Sequence, residues 1–386
     1  MAERHRGQRG AKIALLVSLC VNLGLLGVFK YSDFLIDSFN GVFGTSITNP
    51  VVLVNKALNS LYPLGLNEKR VELPIGISFY TFQSMSYTID LYLRNIKVQK
   101  SFLNFASYVS LFPQIVAGPI VRYEDVANEL ESRTVNIAKI SAGIGLFVKG
   151  LAKKVLLANN IGIVWTQIKA MDYSTISVAT AWLGIIAFAF QIYFDFSGYS
   201  DMAIGLGLMF GFHFDENFNY PYCSASVSEF WRRWHISLGT WFRDYVYFPL
   251  GGSRVSKPRL VLNLFVVWAL TGIWHGANWT FLAWGLLYFV LLTFEKLSGL
   301  GKKNYWWGHI YTMVFVIIGW VIFRSTGMGT AMLYIKAMFG IGAKGFMDKA
   351  VWAYIAQNWI WFVFALIGCA PIMPRIDEKL GKYKAW

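Results

Sequence analysis

Long apolar stretches constrain this chain more than any other feature of its sequence. An α-helix needs about 20 mostly apolar residues to cross the hydrocarbon core of a bilayer. We predict such helices over residues 13–30, 73–93, 140–166, 177–194, 198–214, 259–274, 278–297, 307–323 and 352–371. Because helices satisfy their own backbone polar groups in lipid, the pattern predicts an all-α, multi-pass membrane bundle that forms one domain over residues 1–386.

The composition agrees with a membrane protein. Charged residues make up 15% of the 386 residues and hydrophobic residues 56%, whereas soluble domains carry roughly 25% charged residues. The formal net charge is +14, which we assign to basic cytoplasmic loops beside anionic lipid. No recognition helix or basic aromatic sheet is evident, so we expect no nucleic-acid partner. The basic residues before the first apolar run place the N-terminal end in the cytoplasm.

Two segments depart from the pattern of simple spans. Residues 102–121 are apolar but contain Pro113, Gly118 and Pro119, which predicts a broken or re-entrant segment. Residues 230–252 read "FWRRWHISLGTWFRDYVYFPLGG" and are too charged to face lipid. On a continuous helix their apolar side chains form one stripe, with His235 at its edge and the arginines Arg232 and Arg243 opposite. The segment is either an interfacial helix in which His235 fills space or part of a functional site.

A second histidine lies at the end of an apolar run. Residues 271–280 read "TGIWHGANWT", and Gly272 and Gly276 bracket His275. Glycines at this spacing allow the helix to loosen or another backbone to approach closely. An ionisable group at membrane depth is by default a functional-site hypothesis, although a histidine bonded to a core carbonyl is the alternative.

Acidic residues in apolar surroundings need partners. Asp195 and Asp201 are expected to pair with the arginines of the 230–252 segment, namely Arg232, Arg233 and Arg243, in a structural role. Two metal sites are conceivable, one from His213, Asp215 and Glu216, and one from His235, His275 and Asp195. We predict no metal, since consecutive residues of a regular element cannot all point inward.

Several motifs together resemble the membrane-bound O-acyltransferase family, and within it the bacterial branch that O-acetylates alginate and related exopolysaccharides. The matching stretches are "LPIGISFYTFQSMSYTIDLY" at 73–92, "FPQIVAGPIVRY" at 112–123, "FDFSGYSDMAIGLGLMFGF" at 194–212, "NFNYPY" at 217–222, the 230–252 segment, and "TGIWHGANWTFLAWG" at 271–285. The "YFPLGG" ending resembles the alginate branch more than the D-alanyl-transfer branch.

The resemblance implies a helical bundle that encloses a funnel or tunnel in a bacterial inner membrane. It implies a cytosolic donor, acetyl-coenzyme A, as substrate with no bound cofactor, and an acceptor on the extracytoplasmic side. The implied partners are a serine-dependent acetyltransferase of the SGNH type and the polysaccharide synthesis machinery. Members of this branch usually have further hydrophobic helices at both ends, so we expect a trimmed member or a fragment.

The family's motif histidine maps onto His275, and a second polar position maps onto His235. Transfer to a hydroxyl needs a base, and a histidine with a pKa near 6.5 suits that task. We expect His275 to take the proton, and His235 to orient the acyl carbonyl, stabilise the oxyanion or assist proton transfer. Expected donor-binding or site-lining residues are Arg232, Arg233, Arg243, Asp195, Trp274 and Asn278, with Lys149, Lys153 and Lys154 as further phosphate ligands. The alternatives are transfer of another acyl group such as D-alanine, a transporter without chemistry, and a non-catalytic scaffold.

Overall fold

The computed structural model describes residues 9–62, 64–115, 118–302, 305–372 and 376. Within these ranges the chain is helical, and the one β-type pairing is an isolated antiparallel bridge between Phe218 and Trp234. The all-α prediction is therefore confirmed. The helices group into two compact units, Met1–Thr134 with Ile273–Asn278, and Val135–Gly272 with Trp279–Trp386. The single domain and the tunnel stay predictions, and the basic residues 1–8 and Lys303 lie outside the described residues.

Among its described residues, the first unit has six α-helices of its own. They are α1 (Arg9–Leu26), α2 (Ser32–Phe43), α3 (Pro50–Leu61), α4 (Ile77–Leu93), α5 (Phe102–Val109) and α6 (Tyr123–Glu131). A π-helical turn over Gly27–Tyr31 joins α1 to α2, and α1 packs against α4. The helix α5 ends before Pro113, and residues 111–115 and 118–122 are not helical. The predicted break in residues 102–121 is confirmed.

In the part of the second unit that the structure describes, there are ten α-helices. They are α7 (Ile137–Ala152), α8 (Asn159–Lys169), α9 (Val178–Met209), α10 (Val227–Arg233), α11 (Ile236–Phe242), α12 (Lys257–His275, of which the second unit includes the part up to Gly272), α13 (Trp279–Ser298), α14 (Trp306–Arg324), α15 (Met328–Met338) and α16 (Lys349–Cys369). Its core is aromatic, and Phe230, Trp284, Tyr288 and Trp320 are fully buried there. Asp348 caps α16 and also accepts hydrogen bonds from Ser177 and Thr180 at the start of α9.

Five described helical segments are long and apolar enough to cross a membrane. They are Arg9–Phe43, Val178–Met209, Trp279–Ser298, Trp306–Arg324 and Lys349–Cys369. The prediction of two spans at 177–194 and 198–214 is wrong, because α9 is one continuous helix of 32 residues. Residues 140–166 are helical as predicted, and a π-helical turn at Lys153–Ala158 lies between α7 and α8. Neither Ser197 nor Gly198 breaks α9, since no proline removes a backbone donor there.

Glycines bring α7 and α9 together at two levels. A Cβ atom added to Gly143 would lie 2.5 Å from the carbonyl oxygen of Gly205, and one added to Gly150 would lie 2.4 Å from that of Gly198. The reciprocal additions to Gly205 and Gly198 meet the same two backbones. Small residues allow this approach in membrane helix pairs, where van der Waals packing drives association. The contact fixes α9, the helix that carries Phe196 and Ser200.

A methyl group at this contact is expected to destabilise the protein. Gly150→Ala should lower the free energy of unfolding by about 1–3 kcal/mol, because the two backbones must move apart. The matched control is Gly145→Ala on the same helix, where nothing lies within 4 Å of the added Cβ. That control should be neutral or stabilising by up to about 1 kcal/mol, because alanine favours helix over glycine. Thermal unfolding in detergent tests this, and equal midpoints for the two variants would contradict the contact.

Candidate functional site

The charged segment after residue 226 is not the continuous helix that its periodicity predicts. The helix α10 ends at Arg233, and α11 begins at Ile236. Between them His235 has φ +47 and ψ 56, the left-handed region, which a residue other than glycine rarely adopts. A π-helical turn at Arg243–Tyr247 follows α11. The aromatic stripe is thus split, and His235 lies at the break.

Buried hydrogen bonds anchor the start of α10. Ser226 accepts a hydrogen bond from the backbone N–H of Glu229 at 3.0 Å, and the Glu229 carboxylate accepts from that of Ala225 at 2.9 Å. Glu295 of α13 is 1% exposed and accepts from the N–H groups of Val227 and Ser228 at 2.6 and 2.8 Å. A carboxylate is favourable at a helix N-terminus because it meets unpaired N–H groups and the positive end of the dipole. Glu295 therefore fixes the helix that leads to His235.

Residues 217–219 run beside the break and satisfy its backbone. The N–H of Asn219 donates to the carbonyl of Arg233 at 2.9 Å, and that of Ile236 donates to the carbonyl of Asn217 at 3.0 Å. The bridge between Phe218 and Trp234 lies between these two bonds. The pairing places the Asn217 side chain next to His235.

His235 is enclosed by polar and aromatic partners. It is 2% exposed, its Nδ1 lies 3.2 Å from Oδ1 of Asn217, and its ring packs edge-on against Phe196 with centroids 4.8 Å apart. The residue lies outside the five spanning segments. Burial lowers the pKa of its imidazole to about 3, because desolvation disfavours the charged form. His235 is therefore neutral at physiological pH.

A cavity of about 460 Å³ opens beside His235 in the second unit. Its lining includes the tryptophans Trp231, Trp234 and Trp268. Three cationic residues, Arg232, Arg243 and Lys296, also line it, and all three are exposed. An apolar interior with a basic rim suits a ligand that carries an acyl chain or thioester at one end and phosphate at the other.

The sequence led us to expect that Asp195 and Asp201 pair with the arginines of the 230–252 segment, and this prediction is wrong. Lys154 pairs with Asp195, and Lys153 pairs with Asp201 at 2.7 Å. Arg233 instead bonds Glu229 at 2.8 Å, and Arg243 bonds Asp244 at 2.8 Å. The lysines occupy the π-helical turn after α7, which packs closely against α9, whereas the arginines find carboxylates in their own segment.

A second cavity, of about 1090 Å³, has Asn217 in its lining. His213, Asp215 and Glu216 line it, together with Lys149 and Lys153. Across the described ranges, no group of three or more histidine, cysteine, aspartate or glutamate side chains is arranged to hold a metal ion. Two of the lysines that we expected to bind phosphate thus line this cavity rather than the one beside His235.

The motif formed by Trp274, His275 and Gly276 belongs to the first unit. His275 is the last residue of α12, is half-buried, and has its ring 5.0 Å from that of Trp274. The Trp274 ring packs against Phe79 and Phe82 of α4, each at 5.6 Å between centroids. Asn278 follows in the same unit and is half-buried. That His275 and His235 act together stays a prediction.

Two residues of the π-helical turn after α1 cap the end of α12. Lys30 donates through Nζ to the carbonyl of Trp274 and to the Ser78 hydroxyl, the latter at 2.8 Å, and Tyr31 donates to the carbonyl of Ile273 at 2.7 Å. Lys30 also lies over the Trp274 ring, 5.5 Å from its centroid. Donors and cations are favourable at a helix C-terminus, whose last carbonyls lack partners in the helix. These bonds hold the backbone that presents His275.

The sequence model of the membrane-bound O-acyltransferase (MBOAT) family matches residues 77–334, a range that includes both histidines. The chain belongs to this family. Its helical structure, with several helices able to span a membrane, agrees with a multi-pass membrane enzyme family.

The family relatives include several cell-envelope acyltransferases. The chain is 44% identical over 331 residues to the probable alginate O-acetylase AlgI of Pseudomonas syringae pv. tomato, covering 85% of this chain and 61% of that protein. It is 32% identical over 372 residues to the peptidoglycan O-acetyltransferase of Helicobacter pylori, covering 87% and 67%. It is 29% identical over 275 residues to the teichoic acid D-alanyltransferase of Bacillus subtilis, covering 65% and 68%. The chain thus spans about three fifths of the length of the alginate relative.

Sequence reasoning missed three residues that hold the site. Asn217 and Glu295 act through contacts 18 and 68 residues away in sequence, so these contacts could not be predicted, although Asn217 begins the family-like stretch "NFNYPY". Lys30 did carry a signal, because it is a cation that directly follows an apolar run. An intramembrane lysine marks a functional region by default.

Replacing Glu295 tests the anchoring of α10. Glu295→Gln should lower the free energy of unfolding by about 1–3 kcal/mol, because an amide N–H₂ would face a backbone N–H that now has a carboxylate oxygen. Glu216→Gln is the control, since Glu216 is exposed. Thermal unfolding of both variants in detergent gives the comparison. If Glu295→Gln and Glu216→Gln unfold at the same temperature, Glu295 does not anchor α10.

Proposed function

We propose that this protein transfers an acetyl group from acetyl-coenzyme A to a hydroxyl on the extracytoplasmic side of a bacterial inner membrane. The observation that carries the proposal is the neutral, buried imidazole of His235 beside a cavity with a basic rim. Membership of the O-acyltransferase family supports the reaction class.

The cavity beside His235 suits a coenzyme A thioester. The exposed cations Arg232, Arg243 and Lys296 can bind its phosphates, and arginine does so through paired N–H donors. The aromatic walls formed by Trp231 and Trp268 exclude water from the thioester, which strengthens electrostatic interactions during acyl transfer. Arg233 is bonded to Glu229 and has a structural role in this arrangement.

The two histidines divide the chemistry of acyl transfer. The acceptor hydroxyl must lose its proton as its oxygen attacks the thioester carbonyl, and the developing oxyanion needs a hydrogen-bond donor. His235 and His275 are the residues for these tasks. Trp274 and the capping pair Lys30 and Tyr31 hold His275 through the end of α12.

The proposed acceptor is a cell-envelope polysaccharide of the alginate type, reached through a partner acetyltransferase. The names of the relatives support this, because alginate and peptidoglycan O-acetylation both add acetyl groups to envelope sugars. A multi-pass protein suits such a relay, since donor and acceptor lie on opposite sides of the bilayer. The proposed partners are an SGNH-type serine acetyltransferase and the polysaccharide synthesis machinery.

A second candidate is D-alanyl transfer to an envelope polymer, which the similarity to a teichoic acid D-alanyltransferase favours. The lower identity of that relative, 29% against 44%, ranks it second. Mass spectrometry of the acylated acceptor separates the two, because acetyl and D-alanyl groups differ in mass and charge. A transporter or scaffold without chemistry would release no thiol from any acyl donor.

The activity is tested by thiol release from acetyl-coenzyme A in detergent or vesicles. His275→Ala and His235→Ala should each lower the rate by about 10²-fold or more, the size of a general acid–base contribution. His309→Ala is the matched control, because His309 is exposed on α14. Parent-level thiol release by both site variants would overturn the proposal, as would the absence of release by the parent with any thioester donor.

The basic rim is tested separately with two donors. The double variant Arg232→Gln, Lys296→Gln should raise the KM for acetyl-coenzyme A several-fold, because charge-assisted bonds to phosphate are lost. The KM for S-acetyl pantetheine, which lacks phosphate, should stay near the parent value. Lys336→Gln on α15 is the control for loss of an exposed charge. Equal changes in KM for both donors would show that Arg232 and Lys296 do not bind the phosphates of the donor.

A further inference from the structure

Two parallel helices of unequal length leave a recess in the second unit. Asp348 caps α16 and accepts a hydrogen bond from Thr180, near the start of α9, at 2.8 Å. A Cβ atom added to Gly368, near the end of α16, would lie 3.0 Å from the ring of Phe194. The helix α16 ends one residue after Gly368, whereas α9 continues for about four turns beyond Phe194. The spanning segment of α16 therefore stops beside the middle of α9.

The larger cavity, of about 1090 Å³, occupies this recess, and its lining changes character along α9. The lining at the level of α16 is apolar and consists of Leu156, Leu157, Trp361, Phe364 and Ile367. About two turns beyond Phe194 the lining is charged, because Lys153 pairs there with Asp201. A cavity that is apolar beside a spanning helix and charged where that helix stops matches a molecule that crosses the boundary between hydrocarbon and headgroups.

Both side walls of the cavity are held against α9. On one side, a Cβ atom added to Gly150 would lie 2.4 Å from the carbonyl oxygen of Gly198, so the end of α7 packs directly on the α9 backbone. On the other side, residues 213–220 turn back along α9, and the amide nitrogen of Asn217 donates to the Ser200 hydroxyl at 3.2 Å. Ligand sites are usually largely pre-formed in this way.

The charges that remain available in this cavity have both signs. Lys153 is already paired with Asp201, at 2.7 Å. Within the described ranges, Lys149, Asp215 and Glu216 line the cavity without an ion pair, and all three are exposed. Lys149 lies one turn before Lys153 on the same face of its helix. The cavity therefore offers a lysine cation and two carboxylates to a ligand.

We propose that this cavity binds one phospholipid whose headgroup joins a phosphate to a primary ammonium, as in phosphatidylethanolamine. Lys149 donates to the phosphate, and Asp215 and Glu216 accept the N–H bonds of the ammonium. The acyl chains lie along α16, where Phe364 and Ile367 are exposed. This lipid site is independent of the proposed acyl transfer.

Other headgroups fit these charges less well. Phosphatidylglycerol carries a phosphate but no cation, so Asp215 and Glu216 would repel it. Phosphatidylcholine carries a cation, but its trimethylammonium group has no N–H to donate to a carboxylate. A soluble zwitterion meets the charges but leaves the apolar lining in contact with water, which is unfavourable. The mixed charges and the apolar end together favour a lipid with an N–H-bearing ammonium.

The lipid preference is tested on the parent protein by native mass spectrometry in detergent. The three lipids carry identical acyl chains, and the fraction of protein that holds a lipid is measured against lipid concentration. We expect phosphatidylethanolamine to bind several-fold more tightly than phosphatidylglycerol or phosphatidylcholine. Equal affinities for the three lipids would indicate ordinary bilayer contact and overturn the inference. Displacement of the lipid by glycerophosphoethanolamine, which lacks acyl chains, would also overturn it and indicate a soluble ligand.

Two charge variants should change the preference in different ways. Lys149→Gln should weaken the binding of both phosphatidylethanolamine and phosphatidylglycerol, because both lose a charge-assisted bond to phosphate. The double variant Asp215→Asn, Glu216→Gln should weaken phosphatidylethanolamine and strengthen phosphatidylglycerol, because it removes both the ammonium ligands and the repulsion. Lys336→Gln and Glu131→Gln, at exposed positions away from the cavity, are the controls and should keep the parent affinities.

The opposite responses of the two lipids are the decisive result, because general damage to the cavity would weaken both. If the double variant changes the two affinities in the same direction, or if the Lys149 variant binds like its control, the inference is overturned. Lys149, Asp215 and Glu216 are exposed, so their replacement is expected to leave folding intact. The comparison of lipids on the parent protein needs no variant. Because binding is measured without turnover, its outcome is separate from that of the thiol-release assay.

Discussion

Non-helical backbone within a lipid-embedded protein is tolerated only where the protein itself satisfies the freed polar groups. Residues 217–237 meet this constraint through reciprocal bonds. The backbone of 217–219 pairs with the break between α10 and α11, and the Asn217 side chain accepts hydrogen bonds from the backbone N–H and the hydroxyl of Ser237 and lies 3.2 Å from Nδ1 of His235. Glu295 satisfies the other end of α10. The position of His235 depends on this network, because its bonds join the segments on both sides of the break.

The helical character of the chain could be predicted from sequence, because apolar runs of helical length leave a membrane protein few alternatives. The boundaries of individual helices could not be predicted in the same way. The region around Gly198 looks like a gap between two spans, yet α9 continues because this glycine packs against the backbone of α7. The run over 140–166 is helical, but the sequence does not reveal the π-helical turn within it that carries Lys153 and Lys154 toward the acidic residues of α9. Both outcomes depend on a neighbouring helix, which periodicity does not report.

The candidate site, like the helices, could be predicted from sequence only in part. His235 and His275 were accessible from sequence, since ionisable residues in oily surroundings are rare. The shape of the backbone at His235 could not be predicted from sequence. No proline or glycine marks the break there, and the Ile236 N–H bonds to a residue 19 positions away. The charge pairings were predicted wrongly for a related reason. Sequence identifies groups that need partners, but the partner is chosen by which helices pack together, and α9 packs on α7.

The left-handed backbone at His235 combines a strained backbone conformation with a buried side chain. A side chain held in this region costs about 1–2 kcal/mol relative to glycine, which adopts it freely. Glycine would relieve this backbone strain, but it would also remove a buried ring that packs against Phe196 and lies beside Asn217. The strained backbone at His235 is therefore offset by the buried contacts of its side chain, and shape and stability at this position cannot be changed independently.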